Sequence, residues 1–284
     1  MKLVNHKIEG IPFRAAHYTG GVIVPTIVIL HDTAGRLEKG NSAAYLAGRN
    51  AAKASVHFVL ERDGTVEQQV PTNRRANHAG VSSYHGRSGC NEFSIGIEIV
   101  NPGRMIASNG QGRAWWGQDF DWREYALQML KTREHGEGVW MPYTAEQLAT
   151  LQGLLIALFE GIPSLTDITT HWYVSPGRKT DTNPLMPLDE IKVAVLGHDD
   201  PGAAVAEAAS EPAPTVTMLK VVTAGSGLNM RRWPNAQNPN VIGSIPNGTV
   251  VPVLRSGQFD GRWWSLVLYG GREGWILETY TQPA

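Results

Sequence analysis

The chain has 284 residues, 42% hydrophobic and 18% charged, enough to bury one large or two unequal globular cores. Its 25 Lys and Arg against 26 Asp and Glu leave a formal charge of -1, which gives no bulk electrostatic reason to bind nucleic acid or an anionic membrane surface. One cysteine, Cys90, excludes an intramolecular disulfide and a multi-thiolate zinc site, so any metal has to be held by histidine and carboxylate.

In chain order, the opening MKLVNHKIEGIPF lacks an apolar run after its basic residue, and no stretch of 18 apolar residues follows. The expectation is a chain made in the cytoplasm without a signal peptide and without membrane insertion. TIVILH, residues 26–31, reads as an apolar strand that presents His31 at the rim of a sheet. A helix is expected over 42–53. Residues 55–70, SVHFVLERDGTVEQQV, read as a hairpin turning at Asp63-Gly64, and SIGIEIV, residues 94–100, as a further strand. Helix is expected again over 144–160, where Thr144 stands three residues before Gln147 as a capping box. THWYVSPGRKTDTNP, residues 170–184, is rich in glycine and proline and reads as a loop.

Between 198 and 216 the sequence HDDPGAAVAEAASEPAPTV holds no aromatic residue and little to bury, the composition of a linker. Beyond it, short β-type runs such as LKVVT and WWSLVLYGGREGWILETY are separated by turn residues and point to a small all-β barrel. The expected organisation is a domain over 1–197, a linker over 198–216 and a second domain over 217–284. Strands, helices and a long hairpin in the first domain suggest a mixed sheet with helices against it, an α/β layer. The second domain carries six basic and three acidic residues.

His31 alone at a strand end is more often structural than functional, and its meaning depends on partners. His171 opens the 170–184 loop, with Lys179 and Asp181 two positions apart and on one side if that stretch is extended. Two neutral imidazoles, one carboxylate and an open fourth position form the ligand set of a hydrolytic zinc site. In SIGIEIV, Ile95, Ile97 and Ile99 facing a core would turn Glu98 to the opposite face, with Gly96 beside it leaving room for a ligand. A solvent-facing glutamate is the plain alternative, and the need of a metal-and-water reaction for a general base favours Glu98. His57, inside an apolar strand, reads as a satisfied core group or one behind the ligands, and His78 in NHAGVS as a substrate contact. His6, His17, His85, His135 and His198 have no supporting pattern, and Cys90 reads as inert.

HFVLERDGTVEQQVPTNRRANHAGVSSYHGRSGCNEFSIGIEIVN together with HWYVSPGRKTDTNP resembles the zinc-dependent N-acetylmuramoyl-L-alanine amidases, in their AmpD-like branch. The resemblance spans roughly residues 27–184. It implies the fold of peptidoglycan recognition proteins, a central mixed sheet flanked by helices, with Zn2+ on His31, His171 and Asp181, a catalytic carboxylate at Glu98 and a catalytic lysine at Lys179. It also implies cleavage of the amide between the lactyl group of N-acetylmuramic acid and L-Ala, with peptidoglycan or muropeptides as partner. The chain departs from the family where some phage members carry a tyrosine and it has Val56, and where Trp-His-Ala-Gly is usual and it reads Asn77-His78-Ala79-Gly80. Residues 102–143 resemble an insertion, in which Trp115 and Trp116, with Trp122 and Trp140, either wall a sugar groove or pack on themselves. The C-terminal part is similar to bacterial SH3-like domains, with Trp233, Trp263, Trp264 and Trp275 as candidate binding residues, at least one of them core.

These readings combine into a phage or prophage endolysin, made in the cytoplasm and acting on the cell wall after release, with the SH3-like domain as a tether. The alternatives are a cytosolic amidase that recycles anhydro-muropeptides, which needs no tether, and a non-catalytic peptidoglycan receptor.

Overall fold

The computed structural model describes residues 1–196, 217–225, 227–236 and 240–284, and the linker expected over 198–216 lies outside them. The chain separates into two compact units, one of Met1–Gly80, Asn91–Tyr173 and Arg178–Asp200, the other of Val81–Cys90, Val174–Gly177 and Pro201–Ala284.

The first unit begins its central sheet with β1 (Ile27–Asp32), followed by α1 (Asn41–Ala47), the hairpin β2 (Phe58–Leu60) and β3 (Val66–Gln68), and β4 (Ser94–Ile99). Then come five short strands, β5 (Ile106–Ser108), β6 (Gln111–Arg113), β7 (Asp119–Asp121), β8 (Gln128–Thr132) and β9 (Gly136–Trp140). The unit closes with α2 (Ala145–Gly161), β10 (Asp167–Thr170), the single turn α3 (His171–Val174), whose last residue is counted in the other unit, and α4 (Leu188–Leu196). The central sheet runs β10-β1-β4-β2-β3, parallel except for the β2-β3 hairpin. This is the mixed sheet with helices that the sequence suggested.

Period-2 alternation decides which side of the sheet each residue serves. Ile95, Ile97 and Ile99 are fully buried and join Val28, Leu30, Phe58 and Leu60 in one core with Leu151, Leu154, Leu155 and Leu158 of α2. Burying each such side chain contributes about 1.5–3 kcal/mol. The other face meets α1, where Ala43 and Leu46 pack with Val56, Val59 and Val100.

The capping box forms as expected: Thr144 Oγ1 accepts from the Gln147 N–H at 3.0 Å and Gln147 Oε1 accepts from the Thr144 N–H at 3.1 Å. The first helix is shorter than expected, ending at Ala47. Asn50 accounts for this, since its amide donates to the carbonyls of Tyr45 and Ala54 and its oxygen accepts from the Ala54 N–H, offering the backbone an alternative to helix. The 170–184 segment is not loop throughout, because His171–Val174 form one helical turn directly after β10.

The insertion folds as a three-stranded antiparallel sheet, β7-β6-β5, and a hairpin, β8-β9, around its own core of Met105, Phe120, Leu127, Val139 and Met141. Gly112 lies under that core, where a Cβ would stand 2.7 Å from Leu127 Cδ1.

The second unit carries seven C-terminal strands: β11 (Met218–Val221), β12 (Leu228–Arg231), β13 (Val241–Ile245), β14 (Val250–Phe259), β15 (Arg262–Tyr269), β16 (Arg272–Leu277) and β17 (Thr281–Pro283). They pair in the order β13-β12-β16-β15-β14-β11-β17. The all-β expectation holds, but no pairing among the described residues joins the two edge strands, so the expected barrel is not seen to close. Trp264 and Trp275 are core residues packed with Phe259, whereas Trp263 is exposed. Cys90, also in this unit, is buried, and burial pushes its thiol up to about 11.

Candidate metal and catalytic site

Three parallel strands end side by side, and their register sets the site. His31 of β1 pairs directly with Glu98 of β4. Thr170, the last residue of β10, pairs with Leu30, so His171 follows at the level of His31. The row His171, His31, Glu98 therefore crosses the carboxyl ends of adjacent parallel strands, where open sheets of this kind present ligand sites.

Asp181 completes the group. His31 Nδ1 and His171 Nδ1 are 2.8 Å apart, His171 Nδ1 and Asp181 Oδ2 2.9 Å, and His31 Nδ1 and Asp181 Oδ2 3.3 Å. Two imidazole nitrogens and a carboxylate oxygen that close would repel through their lone pairs unless a proton or cation lies among them. A cation with bonds of about 2.0–2.2 Å reaches all three, and the N, N, O donor set suits zinc. Among the described residues this is the cluster of histidine and carboxylate groups able to hold a metal ion.

The electrostatics favour the ligating forms. Burial, and then the neighbouring His171, pushes His31 down to about 4, which keeps its ring neutral. Burial opposes ionisation of Asp181, but the imidazoles of His171 and His31 outweigh it and hold the carboxyl well below the usual range. Glu98 is the opposite case: burial first, then the carboxylates of Asp181 and Asp32, push it up to about 8, against the pull of Lys179. Its Oε2 is buried without a hydrogen-bond partner.

The segment bearing Asp181 is held from several sides by groups that sequence reasoning missed. Asp32, the residue after His31, accepts the Asn183 N–H at 2.8 Å and the Tyr143 hydroxyl at 2.6 Å. Burial pushes Asp32 up to about 7, with those two donors opposing. His135 Nε2 donates to the Thr182 carbonyl at 2.8 Å, and the Trp172 N–H to the Asp181 carbonyl at 2.7 Å. The signal for Asp32 was its place at a strand end beside a candidate ligand; His135 had none.

A groove of about 630 Å³ runs over the row, lined among others by Glu98, His171, Lys179, Asp181, Trp115 and Trp116. Trp115 is 77% exposed and its indole N–H donates to the Ala34 carbonyl at 2.8 Å, which fixes the ring at the groove's rim. Trp116 stands edge-on to it and leans into the insertion's core, while Trp140 is fully buried. The insertion's tryptophans thus divide between groove and self-packing. His78 also lines the groove, with its Nδ1 2.9 Å from His31 Nε2. The space over Gly96 is not open to a ligand, because the His78 ring fills it: a Cβ there would be 2.6 Å from that ring. His57 has both ring nitrogens paired, Nε2 donating to the Arg74 carbonyl and Nδ1 accepting the Gly96 N–H.

The sequence profile of the family described as Amidase_2, N-acetylmuramoyl-L-alanine amidase, matches residues 22–184, more than half of the chain. The chain is 32% identical over 144 residues to the 1,6-anhydro-N-acetylmuramyl-L-alanine amidase AmpD of Citrobacter freundii, covering 51% of this chain and 58% of that protein. It is 34% identical over 131 residues to the protein of the same name from Enterobacter cloacae, covering 46% and 51%. The chain thus spans only part of the length of these curated relatives. A crystal structure of a selenomethionine AmpD derivative superposes with a TM-score of 0.52 at 24% identity, over 69% of this chain and 99% of that one, which shows the shared fold.

These relatives correct one expectation. A chain acting on the cell wall after release, as an endolysin does, is not what they are: they are named as amidases of a 1,6-anhydro-N-acetylmuramyl compound. The chain belongs to the N-acetylmuramoyl-L-alanine amidase family.

Proposed function

We propose that this protein is a zinc-dependent amidase that hydrolyses the bond between the lactyl carbonyl of N-acetylmuramic acid and L-alanine in soluble 1,6-anhydro-muropeptides. The observation that carries the reading is the pairing, across adjacent strands, of a convergent His31, His171, Asp181 donor set with a Glu98 carboxyl whose Oε2 is buried without a hydrogen-bond partner. The names of the curated relatives support the amide bond and the anhydro sugar.

Zinc held by His31, His171 and Asp181 would supply Lewis acidity, activation of water near neutral pH and positive charge beside Glu98. Glu98 takes the proton of the attacking water and returns it to the leaving alanine amine, a role suited to a carboxyl whose environment lifts it toward neutrality. Lys179, on the groove wall, places its ammonium to stabilise the negative charge that develops on the carbonyl oxygen. Trp115 offers an aromatic face to the sugar ring at the rim.

We assign the catalytic domain to 1–197, a linker to 198–216 and an SH3-like module to 217–284, which binds peptide or glycan of the same muropeptides. Its excess of basic over acidic residues suits their carboxylates.

The test offers purified protein a 1,6-anhydro-muropeptide and, separately, intact sacculi, with chelator and zinc add-back, and follows products by mass spectrometry. Release of a stem peptide beginning at L-Ala from the soluble substrate, lost with chelator and restored by zinc, is the expected result. Unchanged anhydro-muropeptide under all conditions would sink the reading.

A further inference from the structure

Ligation of a cation through Nδ1 leaves Nε2 of each histidine carrying the proton, and each of those N–H groups needs an acceptor. Both acceptors come from two consecutive residues. His31 Nε2 meets His78 Nδ1 at 2.9 Å, and His171 Nε2 meets the Ala79 carbonyl at 3.1 Å, an oxygen that also accepts from Arg178 Nη2, itself 3.2 Å from His171 Nε2. We propose that His78 and Ala79 form a single orienting clamp that fixes the tautomer and ring plane of both metal-binding histidines, with His78 a positioning residue rather than a substrate contact.

The clamp is itself built. With His78 Nδ1 accepting, its Nε2 carries the proton and is held by Ser94, through the hydroxyl at 3.2 Å and through the backbone. The backbone N–H groups of His78 and Ala79 both donate to Asn91 Oδ1, at 3.0 and 2.8 Å, which pins the turn carrying the two acceptors. Gly96 admits the imidazole against β4, since a Cβ would lie 2.6 Å from its Cγ and Nδ1. The residue types follow: a short hydroxyl at 94, no side chain at 96 and an amide at 91 serve one ring. The acceptor for His31 is a neutral imidazole, where carboxylates and carbonyls are more usual.

This inference rests on reading His31 and His171 as metal ligands, so its test reads metal binding directly. Zinc affinity is measured by competition with a chromophoric chelator for the wild-type chain, His78→Leu, His78→Asn and Asn91→Ala, with the absorption spectrum of cobalt-loaded protein recorded alongside. His78→Leu, which removes the acceptor, should weaken zinc about 10–100-fold. His78→Asn places an amide oxygen near the Nδ1 position and should restore most of that loss, together with the wild-type cobalt spectrum. Should His78→Leu fail to fold, Asn91→Ala unpins the turn that carries both acceptors and is expected to weaken zinc by a smaller factor.

Zinc affinity of His78→Leu equal to wild type, or of His78→Asn as poor as His78→Leu, would overturn the clamp; if His78→Leu does not fold, wild-type affinity in Asn91→Ala would do so. A wild-type chain that binds zinc but leaves anhydro-muropeptides intact would refute the proposed function and not the clamp.

Discussion

The ends of β10, β1 and β4 and the insertion between β4 and α2 both border the groove, but they are built on different principles. On the sheet, every donor is placed by register: His31 faces Glu98 because Ile27 faces Ser94 four residues earlier, and His171 follows from the pairing of Thr170 with Leu30. Side chains there are buried, and their ionisation is shifted by burial and by one another. The insertion is short hairpins closed over a small core; what it offers the groove is the exposed face of Trp115, while His135 and Tyr143 brace the segment that bears Asp181. On the proposed function, the first region acts on the reacting bond, and the exposed Trp115 holds what is attached to it. Changes at the strand ends should alter turnover, and changes at Trp115 should alter binding.

The largest effect is expected at Glu98. Glu98→Gln keeps the shape and the register pairing but cannot take a proton. Turnover on an anhydro-muropeptide should fall by about 10²–10⁴, the range of general acid-base contributions, while zinc content by elemental analysis stays that of wild type. Retained turnover would mean that another group moves the proton.

The next effect is a pH dependence of stability in the metal-free chain. A carboxyl raised from 4.5 to about 8 binds its proton more tightly folded than unfolded, so its contribution is complete at low pH and lost as pH rises through 8. Asp32, raised to about 7, acts in the same direction. His31 and His57, pushed down to about 4, work the other way, but their contributions are complete above 6.5, the ordinary histidine value. Between pH 6.5 and 8 the carboxyls are therefore left to act, and Glu98 should account for a loss of about 1–2 kcal/mol in urea unfolding. Glu98→Gln should flatten that slope. An equal slope in wild type and variant would remove Glu98 from the account.

The two regions also differ in how much their sequences disclose. β1, the β2-β3 hairpin and β4 are legible because apolar alternation and an Asp-Gly turn are local signals, and the Thr144-Gln147 box marks the start of α2 in four residues. Glu98 and the three donors could be picked by residue type. What stays hidden is long-range: the acceptor for His31 lies 47 residues away, and Asp32 meets Tyr143 across 111. Gly96 signalled a close approach but not by what, and it is the His78 ring that comes close. The end of α1 depended on one side chain, Asn50, outbidding the helix for backbone partners. In the insertion, β5, β6 and β7 have three residues each, too few to show a period, so that sheet could not be told from loop.

The smallest effect tests the insertion's share. Trp115 is 77% exposed, so Trp115→Ala opens no cavity, and the Ala34 carbonyl it leaves can turn to water. Stability should change by less than about 0.5 kcal/mol. Loss of an aromatic face from the sugar should raise KM by about 3–10-fold, equivalent to about 0.5–1.5 kcal/mol, with kcat unchanged. Trp116 is the internal control. It packs with the insertion's core, so Trp116→Ala should lower the thermal midpoint as well as binding. A substrate with the lactyl amide and peptide but no sugar ring separates the two meanings of a raised KM. If Trp115→Ala leaves that substrate's KM alone, the tryptophan reads the sugar; if KM rises equally for both, its face lies on the peptide, and the insertion selects the stem rather than the glycan end.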